Sequence, residues 1–223
     1  MMHFHIVTLF PESFTSYLQS SIIGRAIKRK EISITFYNPR DYTKDKYRRV
    51  DGRSYGGGPG MVIKAEPVAR AVAKAVGRKK DVLVIFLCAD GKQLSGKMAE
   101  RYARRYRHVV LIAGHYEGID TRVVKMVGAK KISIGQYILT GGELPAMVII
   151  DSFSRFVPGV LGNEQSLESR RAASREVFTR PEKILYRGRA YKVPRVLLSG
   201  NHKLIERWRL KRQSGSSNPR MRG

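Results

Sequence analysis

The sequence predicts an α/β protein, a parallel sheet with helices between its strands, followed by a small helical second domain. Three observations carry that reading. Apolar runs such as Val82-Leu83-Val84-Ile85-Phe86-Leu87 and Val109-Val110-Leu111-Ile112 are continuous, the pattern of strands buried on both faces. Between such runs lie stretches whose apolar residues recur every four positions, the period of a helix. After Gly162 that spacing lapses, and it returns only near Val196.

Residues 3–10 are apolar and compatible with a first strand, and Pro11 can open a helix in which Phe14, Leu18 and Ile22 recur every four residues. Residues 32–37 form a second strand. Residues 39–60 are polar, charged and glycine-rich, a long connection of the kind that is functional or disordered. Val68, Val72 and Val76 give a helix over 65–76, followed by a strand over 82–87, a basic helix over 95–105 and a strand over 109–113. A short helix over 122–127, a last strand over 131–134 and a helix over 143–156 complete the main domain, Pro145 being tolerated in a first turn. Met147, Val148, Ile149 and Ile150 make that last helix apolar over most of its circumference, so it is buried either in an ordinary core or against another chain. The domain plan is a main domain over 1–162, a polar linker over 163–178, a small helical domain over 179–213 and a basic tail over 214–223 with too little to bury to become ordered.

Lysine and arginine number 43 against 18 acidic residues, which gives a formal charge of +25 and a sequence pI near 10.6. Such an excess favours polyanions, because each neutralised phosphate releases counterions. A membrane surface is the competing polyanion, but no run of 18 apolar residues and no basic stretch with bulky apolar anchors is present. RNA or DNA is preferred, with adaptation to a nucleic-acid-rich surrounding still open. The single Cys88 excludes an internal disulfide, and no Cys or His cluster is spaced for zinc, so no metal is expected. Residues 1–11 lack a basic leader and a small-residue cleavage site, from which a cytoplasmic location is expected.

Two glycine-punctuated segments point to a site. Ile134-Gly135-Gln136-Tyr137-Ile138-Leu139-Thr140-Gly141-Gly142-Glu143-Leu144-Pro145 sets apolar and aromatic residues around glycines that let backbone approach a ligand. Taken alone, Gly141-Gly142 is equally a tight turn. A second segment, Ala113-Gly114-His115-Tyr116-Glu117-Gly118-Ile119-Asp120, follows an apolar run and so sits at the carboxyl end of a strand, where ligands of α/β folds gather. Gly91-Lys92-Gln93-Leu94-Ser95-Gly96-Lys97-Met98 imitates a phosphate-binding loop but has Met98 where Ser or Thr must hold magnesium. No Gly-x-Gly-x-x-Gly is present to support a dinucleotide site.

The segments 114–120 and 134–145, with Tyr55-Gly56-Gly57-Gly58-Pro59-Gly60-Met61 and Leu197-Leu198-Ser199-Gly200-Asn201-His202, resemble the motifs of the bacterial tRNA guanine-37 N1-methyltransferases, knotted enzymes of the SPOUT superfamily. The likeness runs over 7–162 and resumes over 179–211. It implies a deep trefoil knot in the sheet domain, a homodimer with a composite active site, and methyl transfer from S-adenosylmethionine to N1 of guanine 37 in the tRNA anticodon loop. By motif, the cofactor residues are Leu87, with Phe86 beside it, then Gly114, Tyr116 and Glu117, then Ile134, Gly135, Gln136, Tyr137, Ile138, Leu139, Gly141 and Gly142. Gln136 stands where the family usually has Asp, and Ala89 where it usually has Pro, which weakens any carboxylate role at position 136.

Methylating N1 requires removal of its proton and a partner for charge developing at O6. Arg155 aligns with the family's catalytic arginine and is the expected O6 partner, the alternative being a helix-end arginine that complements the macrodipole. Glu117 is also carried as a catalytic candidate. The family's general base is an aspartate shortly before Thr179-Arg180-Pro181-Glu182, and here the aligned residue is Ser174, whose hydroxyl is no base near neutral pH. Glu176, or failing it Glu168, is the expected carboxylate; the contrary expectation is an RNA-binding protein that has lost turnover. The loop over 38–60 gathers Arg40, Lys44, Lys46, Arg48, Arg49 and Arg53 with Tyr42, Tyr47 and Tyr55, cations for phosphates and rings for unstacked bases. Arg48, Arg49, Asp51 and Tyr55 are its substrate candidates, against a merely solvated loop. The region around Trp208 ends sooner than is usual in the family, so docking of the tRNA body is expected to lean on charge.

Overall fold

The computed structural model describes residues 1–162 and 176–214, with side chains through 209, and the chain divides into two compact units, Met1–Glu164 and Gln165–Gly223. The first unit opens with β1 (Met2–Val7), a 3-10 turn Pro11–Phe14, α1 (Thr15–Leu18), α2 (Ser21–Lys28) and β2 (Ile32–Tyr37). The single helix expected after Pro11 is thus two. Ser21 takes φ 49°, which shifts the buried stripe by one residue, so that Ile23 is buried and Ile22 exposed. Gly24 explains the break, because a Cβ there would meet the Gln19 carbonyl and only glycine lets the two turns cross.

The long connection contains a 3-10 turn, Pro39–Asp41, in which the Asn38 side chain accepts from the Arg40 N–H at 3.0 Å. It then forms β3 (Asp51–Gly52), antiparallel to β4 (Val62–Ile63), and leads to α3 (Ala65–Val76), closed by Gly77 at φ 51°. β5 (Val82–Gln93) is longer than its apolar run predicts. Both Leu87 and Lys92 lie opposite Ile132, so residues 88–91 leave the ladder and the strand resumes beyond them. Gly91 permits the return, since a Cβ there would sit 2.6 Å from the Ile132 nitrogen. α4 (Gly96–Arg105) begins at Ser95, whose hydroxyl accepts from the Met98 N–H at 3.3 Å, so the imitation phosphate loop is strand end and helix cap. β6 (His108–Ile112), α5 (Arg122–Met126), β7 (Lys130–Ser133) and α6 (Glu143–Ser154) follow.

The sheet order is β2-β1-β6-β5-β7 and every pairing is parallel. One face packs Phe4, Ile85 and Leu111 against Ala26, Met98, Ile149 and Phe153; the other packs Val7, Val110 and Ile112 against Val68, Val72 and Val123. α6 therefore joins the core of its own chain through Ala146, Ile149, Ile150 and Phe153, while Leu144 and Val148 stay exposed. The chain steps from β5 to β6 on one side, then returns past β5 to place β7 on the other. Loops following β6 and β7 consequently flank the β5 end, a topological switch point where open α/β sheets bind ligands.

The second unit contains a hairpin that the expected helical domain lacks, β8 (Lys183–Tyr186) with β9 (Arg189–Lys192), then α7 (Arg195–Leu198) and α8 (His202–Ser214). Arg187 at φ 49° and Gly188 at φ 72° make its two-residue turn. Inside this unit the rings of Phe178 and Trp208 lie 6.3 Å apart, and Asn201 caps α8 by accepting from the Leu204 N–H at 3.2 Å. Most of the expected linker, with Ser174 and Glu168, and the tail over 215–223 lie outside the described residues.

Candidate active site

At the carboxyl ends of β5, β6 and β7 lies a cavity of about 350 Å³. All the sequence-predicted cofactor residues line it except Gln136, which is exposed and outside the lining: Leu87, Gly114, Tyr116, Glu117, Ile134, Gly135, Tyr137, Ile138, Leu139, Gly141 and Gly142. The two glycine loops are bonded to each other. Gly142 N–H donates to the Gly114 carbonyl at 2.7 Å, and His115 forms a bridge with Gly141. A Cβ on Gly142 would lie 2.6 Å from the Ala113 Cα and 2.7 Å from the Gly114 nitrogen, so the close approach requires glycine and the tight-turn alternative is too small a role.

A third segment closes beside them. Glu117 N–H donates to the Met61 carbonyl at 3.1 Å and Ile63 N–H to the Gly118 carbonyl at 2.9 Å, which seats the end of the Tyr55–Met61 motif against the 114–120 loop. A Cβ on Gly60, at φ 81°, would lie 2.6 Å from the Glu117 Cγ. Farther out, Tyr55 is 99% exposed and Asp51 is held in the β3–β4 ladder opposite Ile63. Arg48 and Arg49 are not simply free cations: Arg48 pairs with Asp41, and Arg49 with Asp45 at 3.0 Å. The hydrogen bond from Arg49 holds the Asp45 carboxyl down at about 2.

Beneath the loops is a buried polar chain that sequence reasoning missed. Thr8 Oγ1 donates to Glu143 Oε1 at 2.8 Å, and the Phe10 N–H donates to Thr8 Oγ1 at 3.0 Å. The other Glu143 oxygen lies 3.6 Å from His115 Nδ1, a buried nitrogen with no hydrogen-bond partner among the described residues. The Phe10 ring holds the imidazole at 4.5 Å between centroids. Glu143 is the first residue of α6, where a carboxylate is favoured by the helix dipole. One carboxylate thus faces β1's end, the 114–120 loop and the 134–142 loop.

The β5 excursion adds Cys88, Ala89 and Asp90 to the lining. Burial and the bond to Asp90 push the Cys88 thiol up to about 12, so it is no nucleophile near neutral pH. Lys131 pairs with Asp90 and holds its carboxyl below the ordinary range. Among the described residues no group of three His, Cys, Asp or Glu side chains could hold a metal ion. Arg155 caps α6, its N–H donating to the Asp151 carbonyl at 3.2 Å, and its side chain is half-buried. Glu176 is exposed and belongs to the second unit.

The lining combines apolar walls with backbone groups of three loops, suited to a ligand with both polar and apolar parts, and the volume lies in the range of small-molecule sites. The family model for tRNA (guanine-1)-methyltransferase TrmD matches residues 2–221. The chain belongs to this family. It is 44% identical over 218 residues to the tRNA (guanine-N(1)-)-methyltransferase of Buchnera aphidicola, covering 96% of this chain and 90% of the relative. The Coxiella burnetii protein of the same name is 46% identical over 221 residues, covering 94% and 85%. The crystal structure of the tRNA (m1G37) methyltransferase from Aquifex aeolicus superposes with a TM-score of 0.75 at 36% identity, covering 95% of this chain and 89% of that one. Membership in a methyltransferase family implies a methyl donor, and the cavity is where the motif residues of this chain converge. Among the described residues no helix is long and apolar enough to cross a membrane.

Proposed function

We propose that this protein transfers a methyl group from S-adenosylmethionine to N1 of guanine 37 in the anticodon loop of tRNA. The observation that carries the reading is the bonded pair of glycine loops, Gly142 on Gly114, over the cavity at the switch point of a chain of this family. When bound, S-adenosylmethionine supplies an electrophilic methyl group on its sulfonium. The chain's part is to orient, neutralise and deprotonate. Backbone groups of the 114–118 and 134–142 loops hold the polar parts of the donor, while Leu87, Ile138 and Leu139 keep water from its apolar parts. Arg155 donates to guanine O6 as charge develops there, and a carboxylate takes the N1 proton. We assign that carboxylate to Glu176, with Glu117 positioning the substrate from the loop that Met61 and Gly60 touch. Asp51, Tyr55, Arg48 and Arg49 form the RNA side, the arginines contacting phosphate once they exchange their present aspartates for it.

The protein works as a homodimer in a cytoplasmic setting, with the backbone threaded as in knotted methyltransferases; the exposed Leu144 and Val148 of α6 support a covering partner chain. The one observation favouring a second reading, an RNA-binding protein without turnover, is Ser174 at the family's base position. Labelled S-adenosylmethionine, tRNA with guanine 37, and nucleoside identification separate the two. The expected product is N1-methylguanosine at position 37, with none in a transcript lacking that guanine; absence of label supports the second reading. Glu176→Gln is expected to slow single-turnover transfer by roughly 100-fold or more, the usual share of a general base, and an unchanged rate removes Glu176 from the role.

A further inference from the structure

The carboxyl ends of the strands hold the candidate site, and the amino ends hold unneutralised charge. Lys30 precedes β2, Arg78 and Lys80 precede β5, and Arg105 and Arg107 precede β6; all five are exposed. The Met1 ammonium precedes β1, between β2 and β6 in the sheet. The turns that feed the strands from this edge contribute two carboxylates, Glu31 and Asp81. Glu31 is taken by Arg29 at 3.0 Å, and none of the five cations is within ion-pair distance of a carboxylate among the described residues. The opposite end is mixed: Arg48, Arg49, Arg122 and Lys131 each face an aspartate there, while Lys44, Lys46 and Arg53 of the 38–60 loop have no ion-pair partner among the described residues.

β7 starts level with Ile85, so the edge is made by the four strands β2, β1, β6 and β5, roughly 14 Å wide at about 4.8 Å spacing, and strands of five or six residues set it roughly 17 Å or more from the cavity. A polyanion seated here is therefore not the loop that enters the cavity. The edge also lacks the feature that reads unstacked bases. Tyr47 and Tyr55 of the 38–60 loop are 71% and 99% exposed, whereas near the amino edge Tyr102 is buried and Tyr106 half-buried, with Arg105 at 5.5 Å from the Tyr106 ring centre. Cations without open rings fit phosphate backbone presented by shape, as in a duplex, and not single-stranded bases.

The field is also felt inside the fold. His3 and His108 stack at 4.8 Å and His5 Nε2 lies 3.3 Å from His108 Nδ1, just above this edge. Burial is the main cause that keeps all three imidazoles below their ordinary range; Lys79 adds to it for each, the Met1 ammonium for His3 and Arg107 for His108, with Asp81 alone opposing at His108.

We propose that the amino edge of the sheet is a second RNA surface, one that holds the phosphate backbone of double-stranded RNA while the carboxyl edge serves the candidate active site. It goes beyond methyl transfer and does not depend on it. The test uses the full chain and a blunt RNA duplex of about 20 base pairs with no loop and no methyl donor, titrated between roughly 50 and 200 mM salt. The triple variant Arg78→Glu, Lys80→Glu, Arg107→Glu is expected to bind the duplex at least about tenfold more weakly and to lose about three from the slope of log affinity against log salt, close to one per lost phosphate contact. Unchanged affinity and slope overturn the proposal. Circular dichroism and urea midpoint check the fold; should the triple variant fail to fold, Lys80→Glu and Arg107→Glu singly are expected to remove about one each from the slope, and no change in either overturns it. Vesicles of phosphatidylglycerol form the second arm: variants that lose vesicle binding but keep duplex affinity assign the edge to membrane and reject the RNA surface. Because neither arm contains the donor or a guanine-37 loop, a failure here leaves the transfer reading standing, and the reverse holds too.

Discussion

Glu143 is one carboxylate serving three segments of the site, with Thr8 at 2.8 Å on one oxygen and His115 at 3.6 Å on the other. Replacing it by alanine strands the buried Thr8 hydroxyl and empties volume beneath both glycine loops, at a cost of about 1–3 kcal/mol. Glutamine keeps an oxygen for Thr8 and loses the charge facing His115. We expect Glu143→Ala to lower both the urea midpoint and the affinity for the methyl donor, and Glu143→Gln to keep the midpoint near the parent's; equal losses in the two variants would contradict the Thr8 anchor. The glycine loops were legible in the sequence because each is a local motif whose residues touch the ligand region themselves. Thr8 and Glu143 were not, because they are 135 positions apart and nothing near either one marks a carboxylate that turns inward. Gln136 shows the converse limit: its place in a motif did not predict that its side chain faces solvent.

Strands and helices with one strong signal were read closely. The helix Ala65–Val76 and the strand Ile32–Tyr37 match their expected bounds, since valine spacing and Gly77 leave no competing register. Where a close backbone crossing decides the element, periodicity failed: Phe14, Leu18 and Ile22 share a helical stripe, yet Gly24 packs on Gln19 and breaks it. The continuation of β5 was hidden by Cys88-Ala89-Asp90-Gly91, which ends the apolar run, and β8–β9 by four-residue strands without a buried face. β1 carries its own pH response. His5, 5% exposed, is held at about 4 by burial first and then by Lys79, His108 and His3. Unfolded histidine titrates near 6.5, so between that value and about 4 the unfolded chain binds more protons and stability falls as pH falls. His5 contributes about 3 kcal/mol to that loss. His5→Leu is expected to narrow the difference between urea midpoints measured near pH 7 and near pH 4.5; an undiminished difference places the response elsewhere.

At the scale of the molecule, the parallel sheet separates two jobs. Its carboxyl ends gather loops around a half-apolar cavity, where Arg48, Arg49, Arg122 and Lys131 pair with aspartates, and its amino ends expose Lys30, Arg78, Lys80, Arg105 and Arg107 without an ion pair to a carboxylate among the described residues. The sheet and its helices were legible because continuous apolar runs alternate with four-residue spacing, while the strand order, and with it the switch point, depends on long-range pairing that no local pattern encodes. The excess charge was legible as a number and not as a place. The central claim is that the cavity beneath Gly114 and Gly142 receives S-adenosylmethionine, and titration calorimetry tests it most directly. Parent protein is predicted to give saturable heat that S-adenosylhomocysteine competes away, and Gly142→Ala, whose Cβ would lie 2.6 Å from the Ala113 Cα, to give none. Heat absent from the parent with and without tRNA, or undiminished in Gly142→Ala, would contradict the account.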